Sequence, residues 1–161
     1  MTGKIKTRGE LQKILHNLKR LGKRIVFTNG CFDILHIGHV RCLEEAKKLG
    51  DILIVAINTD RSVRSIKGPS RPLVPEAERA EVLSALACVD YVVTFDESDP
   101  LSLISSLKPH VLVKGGDWKP EAVVGREVVE REGGRVVIIP QVQGVSTSTI
   151  ADRIGKKGGK A

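Results

Sequence analysis

Five short runs rich in β-branched and aliphatic residues, Arg24–Thr28, Ile52–Asn58, Tyr91–Phe95, Val111–Val113 and Val136–Ile139, recur along this chain with helix-like stretches between them. Each intervening stretch is long enough to carry the chain back to the edge it left, so successive strands run parallel. Parallel strands are covered by helices on both faces, which explains why the runs are continuously apolar rather than alternating. The expected class is therefore α/β, a Rossmann-like doubly wound parallel sheet of five strands. Right-handed crossovers with one reversal of winding give the order 3-2-1-4-5, which sets the loop after the first strand beside the loop after the fourth.

Helix ends are readable. Thr7 and Glu10 have capping-box spacing, and Leu11, Ile14, Leu15, Leu18 and Leu21 follow at helical intervals, so the chain opens on an amphipathic helix that packs onto the domain. Pro75 or Glu76 opens a later helix, Ser98 or Asp99 with Pro100 the next, and Pro120 a third that stops at Gly133 and Gly134. With neither a linker nor a repeat, residues 1–154 read as a single domain, and 155–161 as a disordered basic tail.

The net charge of +7 raises the question of a nucleic-acid partner, but Lys156, Lys157 and Lys160 of the terminal IGKKGGKA supply part of it. The remaining excess suits an enzyme that handles several phosphates as well as an RNA binder, and an aromatic content of 3% leaves few rings on which bases could stack. No nucleic acid is expected as a partner. Cys31, Cys42 and Cys88 are odd in number and form no CxxC pair, which argues against a disulfide framework and a structural zinc site. No segment reaches membrane-spanning length and no signal-like apolar region opens the chain, so no membrane partner and a cytoplasmic location are expected.

Chemistry concentrates where the first strand gives way to a helix, in TNGCFDILHIGH from Thr28 to His39. His36 and His39 fall on one face of that helix's first turn, where an anion is attracted by free amides and the helix dipole. Gly30 is expected to make the tight turn and bring the amides of Cys31 and Phe32 to a phosphate, while Gly38 removes a side chain that would crowd it. Lys67 lies in SIKGPSRP, whose Gly, Pro and Ser content reads as a mobile loop able to close over phosphates, a plain surface lysine being the alternative. Lys114, Gly115, Gly116 and Asp117 follow the fourth strand at the expected switch point. Asp117 reads either as a partner for sugar hydroxyls or as a helix cap. Ser146, Thr147, Ser148 and Thr149 open the last helix as a second phosphate cradle.

These motifs, with NTD at Asn58–Asp60, ERAEVL from Glu78, KGGDW from Lys114 and GVSTSTI from Gly144, resemble the HxGH nucleotidyltransferases of the cytidylyltransferase-like family over about Arg24 to Ile154. Within that family the likeness is to the adenylyltransferase domain of bacterial ADP-heptose synthases. The resemblance implies in-line attack of D-glycero-β-D-manno-heptose 1-phosphate on the α-phosphorus of ATP, giving ADP-heptose and pyrophosphate. It implies His36, His39 and Lys67 as catalytic residues, with His39 nearest the reacting centre. Nucleotide contacts fall to Asn29, Gly30, Cys31, Phe32, Gly38, Lys114, Gly115, Gly116, Asp117, Ser146, Thr147, Ser148 and Thr149, besides the histidines. Substrate contacts fall to Asp33, Lys67, Arg79 and Trp118. Asp33 also reads as a loop organiser rather than a metal ligand, Arg79 as a helix-surface ion pair with Glu76 or Glu78, and Trp118 as a packing residue. Mg²⁺ arrives with ATP, held by phosphate oxygens and water and not by protein ligands. A homodimer and a separate sugar kinase upstream complete the expectation.

One competing reading is a cytidylyltransferase acting on glycerol 3-phosphate or a related small phosphate. Against it, Ala87 and Cys88 stand where that branch carries an arginine ahead of its VD pair, and Gln141 where it carries one before GxST. A second is a non-catalytic RNA-binding or regulatory protein on the same fold.

Overall fold

The computed structural model describes residues 3–140 and 142–158, the last four of these by backbone alone. Helix α1 (Arg8–Arg20) starts from the Thr7 and Glu10 capping box, each side chain accepting the other's backbone N–H. It buries Leu11 and Leu15, but Leu21 falls at the C-cap, 74% exposed, because the helix ends before the apolar stripe does.

The sheet then assembles as expected: β1 (Ile25–Gly30), β2 (Ile52–Asn58), β3 (Tyr91–Phe95), β4 (Val111–Gly115) and β5 (Arg135–Ile139), all parallel in the order β3-β2-β1-β4-β5. Alternate residues serve opposite layers. Ile25, Phe27, Ile54 and Ala56 join α1, α5 (Leu101–Leu107) and α6 (Arg126–Arg131) in one core. Val26, Leu53, Val55 and Ile57 meet α2 (Ile37–Lys47) and α4 (Glu76–Ser84) in the other. Because neighbours of β1 diverge in winding direction, a crevice opens between its carboxyl end and that of β4.

Two expected elements take other forms. The helix from Pro120 is a single 3₁₀ turn, Pro120–Ala122, separated from α6 by Gly125 at φ 91°. The left-handed φ of Gly125 keeps the two apart, and the position also admits no side chain, since Ile104 Cδ1 would sit 2.6 Å from an added Cβ. Lys67 is not in a loop but is the last residue of α3 (Asp60–Lys67), which Thr59 caps through its side chain and Gly68 ends at φ 99°. Helix α7 (Thr147–Gly158) runs past the boundary expected at residue 154, and residues 159–161 of the expected tail lie outside the described residues, as does Gln141. No helix among the described residues is long and apolar enough to cross a membrane.

Candidate active site

The carboxyl edge of β1 enters the site through an irregular loop whose bends are assigned differently from the sequence expectation. Gly30 is still in the strand, and the left-handed residue is Phe32, at φ 49°. A Cβ on Gly30 would touch the Phe32 ring at 3.0 Å, so this glycine makes room for a ring that folds back over the strand end. The loop delivers His36 as the N-cap of α2, in extended conformation and with no side-chain cap bond. His39 lies in the first turn, its amide bonded to the His36 carbonyl at 2.9 Å.

The two imidazoles stack, ring centroids 3.7 Å apart and 22° from parallel, and His39 leans on Phe32 at 5.0 Å. A Cβ on Gly38 would lie 3.0 Å from the His36 ring. Gly38 therefore permits the stack itself, a more local reason than room for a phosphate. Burial, then the neighbouring His36, push the His39 pKa down to about 4 against an opposing hydrogen bond at Ile34, and burial lowers that of His36 too. Both rings are neutral at pH 7. Their Nδ1 atoms are buried without hydrogen-bond partners among the described residues, a costly condition unless a ligand completes it.

The histidines face a cleft of about 560 Å³. Of the expected residues, Asn29, Gly30, Cys31, Phe32, Asp33, His36, Gly38, His39, Lys67, Lys114, Gly115, Ser146, Thr147 and Ser148 all line it. Lys114 Nζ reaches Asn29 Oδ1 at 3.4 Å, and burial pulls its pKa below that of a free lysine. At the far end Ser146 caps α7, its Oγ accepting the Thr149 amide at 3.1 Å and meeting Thr149 Oγ1 at 2.8 Å. With its Oγ so engaged, Ser146 lines the cleft beside Thr147 and Ser148.

Five expected residues are elsewhere. Thr149 serves the cap just described. Gly116 is buried and donates its amide to the Ile139 carbonyl, tying β4 to β5, while Asp117 is exposed beyond the cleft wall. Trp118 is 47% exposed and does not line the cleft; its ring packs under Lys114, with Nζ 5.4 Å from the centroid.

Arg79 is the largest correction. At 2% exposure, it donates from Nε to the Val74 carbonyl, from Nη1 to the Cys31 and Asn58 carbonyls, and from Nη2 to Asp60 Oδ1. It meets neither Glu76 nor Glu78 and has no reach to spare for a substrate. It knots the loops after β1 and β2 to the start of α4, and Asp60 and Asn58 of the NTD triplet are parts of the same knot.

Asp33, 7% exposed, is likewise committed: Oδ2 pairs with Arg71 Nη1 at 2.7 Å, and Oδ1 accepts the Leu73 and Val74 amides at 2.7 and 2.9 Å. Burial alone would raise its pKa, but hydrogen bonds from Val74, Arg71 and Leu73 hold it below the ordinary carboxylate value. Sequence reasoning passed over Arg71, although it stands four residues after Lys67 in the same SIKGPSRP stretch and lines the cleft. It also missed Cys42, one turn beyond His39, and Val142 and Val145, which flank Gly144. All three cysteines are free, and burial raises the pKa of each.

Comparison with known proteins agrees with this geometry. The cytidylyltransferase-like family model matches residues 27–153. Bifunctional protein HldE of Syntrophotalea carbinolica is 56% identical over 151 residues, 94% of this chain and 31% of that protein. The HldE of Geobacter metallireducens is 58% identical over the same length and shares. The chain thus spans about a third of the length of these curated relatives. Among solved structures, the lipopolysaccharide core biosynthesis protein from Thermoplasma volcanium superposes with a TM-score of 0.62 at 31% identity, covering 75% of this chain and 98% of that one.

Proposed function

Since the chain belongs to the cytidylyltransferase-like family and is a nucleotidyltransferase, we propose that it transfers AMP from ATP to a sugar 1-phosphate, D-glycero-β-D-manno-heptose 1-phosphate, releasing ADP-heptose and pyrophosphate. The observation that carries this reading is the stacked imidazole pair, both Nδ1 atoms without partners among the described residues, facing a cleft that Lys67 and Lys114 also line. Such a site offers donors and cations to a polyanion and presents no activated nucleophile.

In the proposed reaction a phosphate oxygen of the sugar attacks the α-phosphorus as the bond to the β-phosphate oxygen breaks. No proton is removed and no covalent enzyme intermediate forms. The protein's task is to align two polyanions and to stabilise charge growing on the α-phosphate. His39, stacked on His36, meets that charge; its hydrogen bond at Ile34 uses the single donor of the neutral imidazole, and protonation driven by the adjacent phosphates would supply a second. Thr147 and Ser148, at the start of α7, receive the departing pyrophosphate.

Mg²⁺ enters this reading as the ion ATP brings, neutralising phosphate charge. The carboxylate in the cleft wall, Asp33, is occupied by Arg71 and two amides, so no step is routed through a protein-held ion. A kinase reaction supplies the sugar 1-phosphate, and the working unit is a homodimer.

Pyrophosphate release, measured with ATP and with CTP across a panel of sugar 1-phosphates and polyol phosphates, tests the proposal. Turnover with ATP and a heptose 1-phosphate is expected. A clear preference for CTP with glycerol 3-phosphate would replace it by the cytidylyl reading.

A further inference from the structure

We infer that Arg71, held in place by Asp33, is the group that receives the phosphate of the acceptor substrate. The inference rests on the nucleotidyl-transfer reading above and names where its second polyanion binds. Arg79 cannot fill that role, because its Nε, Nη1 and Nη2 are all spent on protein oxygens. Arg71 differs from it in both respects that matter. It lines the cleft, and only Nη1 is engaged, leaving Nε and Nη2 without a hydrogen-bond partner among the described residues.

Arg71 is also no free surface side chain. It is 22% exposed, so its unused donors are largely withdrawn from water and favour an acceptor that enters the cleft. Asp33 cannot swing away to release it, since its other oxygen is fixed by the Leu73 and Val74 amides. The guanidinium is therefore presented in a preset orientation, and a phosphate monoester matches its planar fork.

Position on the sheet assigns the anion. Lys67 and Arg71 come from the chain after β2, on one flank of β1, whereas Lys114 comes from β4, on the other flank. In-line displacement needs the entering oxygen and the leaving pyrophosphate on opposite sides of the α-phosphorus. With the leaving group at the start of α7, the flank of Lys67 and Arg71 is where the attacking phosphate lies.

The experiment is steady-state kinetics on the full chain, varying ATP and the sugar 1-phosphate separately. Arg71→Ala is expected to raise the acceptor KM by about ten- to a hundredfold while leaving the ATP KM within about twofold, the loss of one or two charge-assisted hydrogen bonds. Arg71→Lys should restore part of that loss. Asp33→Asn keeps an oxygen for the two loop amides but loses the partner of Arg71; it should raise the same KM, and the double variant should be no worse than Arg71→Ala alone. A purely structural arginine would lower kcat and shift both KM values together, with no rescue by lysine, and that pattern overturns the inference. So does an acceptor KM that stays put, or a rise confined to ATP. Where the wild type turns over, such results remove this assignment alone; a wild type inert toward every phosphate acceptor removes the transfer reading and this one with it.

Discussion

Arg79→Met separates a buried tie from a substrate contact. Methionine approximates the arginine's length but leaves the carbonyls of Val74, Cys31 and Asn58 without their donor and Asp60 without its cation. An orphaned buried acceptor costs about 1–3 kcal/mol, and removing one partner of a buried ion pair about 3–5 kcal/mol. Asp60 retains some contact with water, at 25% exposure, and Cys31 borders the cleft, so part of the loss is recovered by hydration. The net expectation is about 3–5 kcal/mol of stability. With a urea dependence of about 2 kcal/mol per molar, the unfolding midpoint should fall by about 2 M. Arg126→Ala, which removes only ion pairs with Glu121 and Glu130 at the surface, should scarcely move it. If Arg79→Met shifts the midpoint by less than about 0.5 M while raising a substrate KM, the knot is not structural and the assignment of Arg79 fails.

His39→Ala should lower kcat strongly and change the ATP KM less, because its contact strengthens as charge grows on the α-phosphate; equal loss of affinity with kcat intact would contradict that role. The depressed His39 pKa also makes a prediction for acid stability. The unfolded chain takes up a proton near pH 6.5 and the folded one only near pH 4, so stability is full above pH 7, falls between these values by on the order of 3 kcal/mol, and levels off below. His39→Gln should flatten that part of a denaturation-versus-pH curve, and an unchanged slope would count against the assignment. Gly125→Ala should cost about 2–3 kcal/mol, from a left-handed residue gaining a Cβ and from crowding of Ile104; adding Ile104→Val should return only the crowding part, as read by thermal unfolding.

The strand order and most strand boundaries are legible because burial on both faces writes itself into uninterrupted Val and Ile runs, and the Thr7 cap because its partner is three residues away. What escapes is whatever depends on distant chain. The ERAEVL segment shows Arg79 two acidic neighbours at helical spacing, yet its oxygens come from residues 31, 58, 60 and 74, which only the folded loops bring together. Gly68, Pro69 and Ser70 make the stretch around Lys67 read as a loop, although the helix that Thr59 caps reaches as far as the lysine. Gly38 is the contrary case, since its closest neighbour is the ring of His36, only two residues before it, and spacing alone does not show that the two rings stack over it. The histidine pair is legible because both members lie in one turn, and Arg71 is not, because its value depends on Asp33, thirty-eight positions earlier.

The stacked rings have a thermodynamic corollary. Uncharged on their own, they can set positive charge against a polyphosphate only by drawing hydrogen ions from the medium, so nucleotide capture becomes a reaction with buffer as a reactant. Calorimetric heats of ATP binding should then scale with the ionisation enthalpy of the buffer chosen, and affinity should climb as the solution is made mildly acidic.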